Sequence, residues 1–153
     1  MEISLKALTA ILVEFIAWLL AALFVYTAVS KVYDWNGTVS AVNGQVFPDW
    51  MTLPLLYGLP IVEVALAVIL LLPQTRRVAL GISFLLMSVF TGYVALVLTG
   101  VFGRIPCSCG GILSSLDWNE HLIVNLVLTA IAAAGWMMQS YLIKTKKSNL
   151  SMN

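Results

Sequence analysis

The chain has 153 residues, of which 61% are hydrophobic and only 10% are charged, and its mean hydropathy is +0.98. These values lie outside the range of soluble domains, so the composition predicts an integral membrane protein with no room for a separate soluble domain. The net charge of +1 argues against nucleic-acid binding, for which a basic stripe is expected.

Four apolar runs follow in chain order, each close to the roughly 20 residues that a helix needs to cross the hydrocarbon core. They cover about residues 7–30, 52–72, 77–101 and 118–142. We therefore predict an all-α, four-helix transmembrane bundle that forms a single domain over residues 1–147. Residues 148–153 are expected to be a disordered cytoplasmic tail. The first run is too long for a cleaved signal sequence and contains Glu14, so we expect it to be retained.

The residues between and within these runs give further expectations of packing. The polar, turn-forming stretch after the first run predicts a short amphipathic segment that lies on the membrane. Small residues at four-residue spacing, Ala17 with Ala21 and Ala130 with Ala134, are typical of close helix packing. Trp18 is an exception to the interfacial location that the other tryptophans share, because it lies in the middle of the first run.

Lysine and arginine predict the orientation, since short loops rich in them stay in the cytoplasm. Six of the eight basic residues fall on one side and only Lys31 and Arg104 on the other. Both termini are therefore predicted to face the cytoplasm, which is an N-in, C-in arrangement. The loop that contains the cysteines is then extracytoplasmic.

The two cysteines of the chain form a Cys107-Ser108-Cys109 triplet between the third and fourth runs. Pro106 makes the approach rigid, and the two glycines after Cys109 permit unusual backbone angles. A disulfide across one intervening residue closes a small, strained ring, and strained disulfides tend to be labile and oxidising. This pattern favours thiol–disulfide exchange.

Two other readings of the triplet stay open. Cys107 and Cys109 could form a static disulfide or stay as free thiols, although so small a loop removes little entropy from the unfolded chain. They could also bind Cu(I) or Zn together with His121, but no fourth protein ligand is evident.

The start of the fourth run lies close in sequence to the cysteines. Asp117 and Glu120 form a predicted capping box, and the positive end of that helix would favour a thiolate nearby. His121, the single histidine, and Asn125 are four residues apart and so share one face of the helix. His121 could carry the proton that exchange moves, or both could be interfacial and packing residues.

Glu63 lies inside the second run, where an ionisable side chain usually faces a cavity or a partner. It is either a protonated carboxyl group that is hydrogen-bonded to a neighbouring helix or a group that transfers protons. At its estimated depth, Lys31 would have to reach down to pair with it, and Tyr93 is a candidate partner at a closer depth.

These residues together resemble the MauE/DoxX-like membrane proteins. The resemblance rests on Ser30-Lys31, Asp34-Trp35-Asn36, Pro60 with Glu63, the segment from Pro106 to Gly111, and Trp118 with His121 and Asn125. It implies a four-helix protein of the bacterial cytoplasmic membrane, associated with extracytoplasmic thiol redox chemistry beside a thioredoxin-like partner. The chain has one cysteine pair where the more loosely similar quinone-linked oxidoreductases usually have two, so it must exchange electrons with either a membrane quinone or a second protein, and the direction of electron flow stays open.

The sequence thus supports two hypotheses. In the first, the protein is a membrane thiol–disulfide oxidoreductase with Cys107, Cys109 and His121 as catalytic residues. Asn125, Glu63, Tyr93 and Lys31 would line the pocket, and the partner would be a thioredoxin-like or disulfide-containing extracytoplasmic protein. In the second, it is a non-catalytic membrane assembly or scaffolding subunit with a structural cysteine loop.

Overall fold

The computed structural model describes residues 2–102 and 117–151, and within those residues it is helical, with no strand. Four of the helices are long and apolar enough to cross a membrane, which confirms the predicted all-α bundle. The helices are α1 (Glu2–Tyr33), α2 (Trp35–Asn43), α3 (Asp49–Leu71), α4 (Arg76–Leu98) and α5 (Trp118–Ser151).

The long helices overlap the four predicted apolar runs but differ from them at their ends. The largest difference is in α5, which continues to Ser151, so the expected disorder is wrong for residues 148–151. The sequence after Tyr141 contains leucine and lysine, which favour helix, and it has no glycine or proline that would end one.

The short helix α2 closes one end of the bundle, which we call the α2 end; α1 finishes there and α3 and α5 begin there. Asp34 starts α2 by accepting a hydrogen bond from the Gly37 amide at 3.0 Å. A Cβ atom on Gly37 would collide with the Asp34 carboxylate in its capping position, so a larger residue there would have to displace the cap. Thr38 and Ala41 are buried, and the Thr38 hydroxyl donates to the Lys31 carbonyl at 3.1 Å. The expected membrane-surface segment is therefore a helix packed on the bundle.

The core of the bundle lies where α1 packs against α3 and α5, and where α4 packs against α5. Its fully buried side chains include Leu20, Leu70 and Leu80. Burial of such side chains, together with the satisfied backbone of each helix, is what a membrane bundle requires.

Small residues allow close helix packing, but only one of the two predicted pairs takes part in it. Ala17 and Ala21 are buried, as expected. Ala130 and Ala134 are exposed, so that expectation is wrong. Gly135 makes the close approach in α5 instead, because a Cβ atom there would lie 2.8 Å from Ile16 Cγ2.

Candidate functional site

A cavity of about 170 Å³ lies inside the bundle towards the α2 end. All five helices contribute to its lining, and most of the lining side chains are apolar. The polar minority includes every predicted site residue other than the cysteines, namely Lys31, Glu63, Tyr93, His121 and Asn125. Side chains that are as far as 94 residues apart in sequence therefore face one space, although their roles stay predictions.

An ion pair between α1 and α3 forms one wall of this cavity. Lys31 Nζ lies 2.7 Å from Glu63 Oε1 and also donates to the Thr27 carbonyl at 3.3 Å. The pair is well shielded, since the exposed fractions of the two side chains are 19% and 6%. The Thr27 side chain also lies close to this carboxylate, but its hydroxyl donates to the Phe24 carbonyl at 3.1 Å, and the buried Glu63 Oε2 has no hydrogen-bond partner among the described residues. The carboxylate therefore has one oxygen paired and one available to the cavity.

Lys31 is level with Glu63 because α3 begins well beyond the end of α1. The rings of Trp35, just past α1, and Tyr57, in α3, are 5.2 Å apart. Glu63 follows Tyr57 by six residues, which is about 9 Å along α3. Lys31 precedes Trp35 by about one turn of α1, so its side chain can reach the Glu63 carboxylate. Of the two candidate partners, Lys31 is therefore the one that pairs with Glu63.

Tyr93 instead ties α4 to the segment between α2 and α3. Its hydroxyl donates to Gln45 Oε1, and its ring stacks on Phe47 at 4.9 Å between centroids. Gln45 is buried and also donates to the Ala41 carbonyl at 3.0 Å. We did not predict Gln45 from the sequence, because a glutamine in a polar, turn-forming stretch looks like any solvated loop residue.

The first turn of α5 presents His121 to the cavity. Glu120 accepts a hydrogen bond from the Asp117 amide at 3.0 Å, and Asp117 accepts one from the Trp118 amide at 2.7 Å. The Glu120 half of the predicted capping box is therefore present, whereas the Asp117 carboxylate accepts from the adjacent Trp118 amide instead of the Glu120 amide. His121 Nε2 is buried and has no hydrogen-bond partner within the described part of the chain. Asn125, one turn further, lines the same cavity, so the predicted shared face is confirmed.

Cys107 and Cys109 lie outside the described residues, as does the proposed disulfide or metal chemistry between them. By chain connectivity they belong to the link between Leu98, where α4 ends, and Trp118, where α5 begins. Within residues 2–102 and 117–151, no group of three histidine, cysteine, aspartate or glutamate side chains could hold a metal ion.

A second ion pair, which we did not predict, lies at the opposite end of the bundle. Arg76, at the start of α4, donates to both carboxylate oxygens of Glu14 at 2.7 and 3.1 Å. Arg76 also donates to the Leu70 carbonyl at 3.2 Å, and Trp18 Nε1 donates to Glu14 Oε1 at 3.3 Å. This pair lies away from the cavity.

Residues 9–138 match a family model described as methylamine utilisation protein MauE. The matched range contains both cysteines and every residue that lines the cavity. Neither the curated proteins nor the solved structures show a significant match to the chain.

Proposed function

The chain belongs to the MauE family, and from that membership we propose that it is a membrane-embedded thiol–disulfide oxidoreductase. Its substrate would be a thioredoxin-like or disulfide-containing partner outside the cytoplasm, and Cys107 and Cys109 would carry the exchange. The observation that supports this most is that Lys31, His121 and the other predicted pocket residues line one cavity. His121 lies in the first turn of the helix that follows the cysteine segment, so the cavity and the cysteines belong to neighbouring parts of the chain.

The exchange involves two sulfur pairs and no other reactant. The thiolate of one cysteine attacks the disulfide of the partner and forms a mixed disulfide, and one partner sulfur leaves as a thiolate. The second cysteine then attacks the mixed disulfide, which leaves the pair oxidised and the partner reduced by two electrons. The reverse reaction follows the same path, and the relative reduction potentials of the two pairs set its direction.

His121 is the group that we assign to proton transfer in this exchange. Its Nε2 atom is buried and without a hydrogen-bond partner among the described residues, so it is available to accept a proton from an attacking thiol. The capping contacts of Asp117 and Glu120 hold the first turn of α5, and with it the position of the imidazole.

The orientation that we propose puts the α2 end outside the cytoplasm. Six basic residues lie towards the opposite end or in the termini, and short basic segments stay in the cytoplasm. Lys31 is a weak exception to this rule, because it is inside the bundle and paired with Glu63 rather than in a loop. We infer a location in the bacterial cytoplasmic membrane with the cysteine loop extracytoplasmic.

The redox state of the cysteine pair in intact cells tests this function. Alkylation with a maleimide polymer after titration with glutathione should show a reversible transition at a moderately oxidising potential. Replacement of either cysteine by serine should abolish turnover of a partner disulfide. His121→Ala should slow exchange by about 100-fold or more, as expected for loss of a general acid–base group.

Ile123→Ala is the matched control, since Ile123 lies two residues after His121 on α5 but is 61% exposed. It should exchange at the wild-type rate. A pair that stays oxidised until strong reductant is added, and that responds equally to both substitutions, would refute the redox function. That result would indicate a structural cysteine loop in an assembly or scaffolding subunit.

A further inference from the structure

The size of the cavity limits what it can bind. Its volume is about 170 Å³, slightly larger than the roughly 150 Å³ of an engineered protein cavity that binds benzene. One substituted six-membered ring therefore fits, whereas a nucleotide, a haem or a peptide side-chain cluster does not.

The walls select an uncharged ring. Phe24, Leu59, Met87 and Phe90 are among the apolar side chains that line the cavity. Lys31 is the one lysine or arginine among the described lining residues, and Glu63 already neutralises it. An anionic headgroup would find no free positive charge there, and desolvating it would be costly.

Two polar atoms in these walls can bind the hydrogen-bonding groups of a ligand. Glu63 Oε2 and His121 Nε2 are both buried and have no partner among the described residues. Buried polar atoms are nearly always hydrogen-bonded, so each of these atoms favours a ligand that brings a partner for it into the cavity. A carboxylate oxygen can only accept, which calls for a hydroxyl donor, whereas an imidazole nitrogen pairs with a hydroxyl or a carbonyl group.

The cavity also reaches the lipid-facing surface of the bundle. Tyr26 lines it and is 38% exposed, about two turns before the end of the membrane-crossing part of α1. A ligand can therefore enter sideways from the bilayer, which favours a molecule that dissolves in lipid.

From these features we propose that the cavity binds the ring of a lipid-soluble quinone and its reduced quinol. The quinol hydroxyl groups supply the donor that Glu63 Oε2 lacks, and either form offers an oxygen to His121. The redox role of this ligand rests on the proposed thiol exchange. One dithiol and one quinone then give one disulfide and one quinol, so that two electrons and two protons leave the cysteine pair. The exchange with the partner then runs in its reverse direction, in which the disulfide of the pair oxidises a partner dithiol.

A photoreactive short-chain azidobenzoquinone tests the binding on the full-length protein in lipid nanodiscs. We expect saturable labelling of residues that line the cavity, and competition by the unlabelled short-chain quinone. Leu59→Trp should lower the labelling by about tenfold, because a larger side chain fills the space that the ring needs. Ile61→Trp, which adds the same group at a position 68% exposed on the same helix, should leave the labelling unchanged.

If Leu59→Trp does not fold, labelling of the unsubstituted protein still tests the proposal. Labelling that is not saturable, that falls on lipid-facing residues such as Phe15, or that phospholipid prevents equally well would overturn the proposal. The Cys107→Ser/Cys109→Ser double variant separates this inference from the proposed function, because it should bind the probe but form no quinol. Formation of one quinol per reduced cysteine pair under anaerobic conditions would support the redox role, and binding without it in an exchange-active protein would refute that role.

Discussion

Two ion pairs among the described residues connect α1 to the rest of the bundle, one towards each end. They differ in how many of the carboxylate oxygens have a hydrogen-bond partner. At the α2 end, Lys31 binds one oxygen of Glu63, and the second oxygen has no partner among the described residues. At the opposite end, Arg76 binds both oxygens of Glu14. The first pair borders a cavity, whereas the second lies against the surface of α1.

This difference separates a pair that is available for binding from one that fastens helices together. A bidentate arginine–carboxylate contact fixes geometry and leaves little capacity for another ligand. A single lysine contact to a shielded carboxylate leaves an acceptor available in a mostly apolar space. We therefore expect substitutions in the Lys31–Glu63 pair to affect ligand binding, and those in the Glu14–Arg76 pair to affect only stability.

The largest effect on stability should come from breaking the shielded pair. Lys31→Met leaves Glu63 without its cation in the core of the bundle, and we expect the free energy of unfolding to fall by about 3 kcal/mol. The estimate is at the lower end of the range for buried pairs, because Lys31 is 19% exposed. Unfolding in mixed micelles of detergent and denaturing surfactant measures the loss.

The double variant Lys31→Met/Glu63→Met is the control for this prediction. Apolar side chains of similar size should restore stability to within about 1 kcal/mol of the wild type, since no uncompensated charge stays in the bundle. The double variant should bind the reduced, quinol form of the probe only weakly, because the acceptor Glu63 Oε2 for the quinol hydroxyl is absent. Wild-type probe binding in this folded variant would mean that the Lys31–Glu63 pair is also only structural. The two ion pairs would then not differ in function.

A smaller loss of stability should follow from neutralising the other pair. Glu14→Gln keeps the shape of the side chain but leaves the buried Arg76 without its counter-ion. We expect a loss of about 1–2 kcal/mol, reduced by the 52% exposure of the Glu14 side chain, with the Leu70 carbonyl still accepting from Arg76. Thiol exchange and probe binding should be unchanged, and a clear fall in either would show that this pair also serves the site.

Much of the fold could be predicted because long apolar runs and helix caps are local signals. The four crossings followed from run length, and the start of α5 followed from Asp117 and Glu120. The inward face of α5 could not be predicted in this way, since a helix that is apolar all round carries no amphipathic pattern. That is why the exposed Ala130 and Ala134 were expected at a packing surface and Gly135 was not.

In the candidate site, too, the features that one segment encodes could be predicted, and those that depend on helix packing could not. The spacing of His121 and Asn125 placed them on one face, and the cost of a carboxylate inside a span marked Glu63. The partners of these groups depend on how far one helix slides against another, which no single segment encodes. Lys31 meets Glu63 because α3 starts beyond the end of α1, and Gln45 meets Tyr93 because α2 folds back over the bundle.

The smallest effect that we predict concerns Trp18, the tryptophan whose position in the middle of a span is otherwise unexplained. Its side chain is 57% exposed, and its indole N–H donates to Glu14 Oε1 at 3.3 Å. An N–H group within the hydrocarbon needs an acceptor from the protein, and the carboxylate supplies one. Trp18→Phe removes the indole N–H, so no donor in the hydrocarbon is left without an acceptor. Because Arg76 still binds both oxygens of Glu14, the free energy of unfolding should change by no more than about 0.5 kcal/mol. A loss as large as that of Glu14→Gln would mean that the indole, rather than the guanidinium group, holds the carboxylate, and the Glu14–Arg76 pair would then be less complete than its geometry indicates.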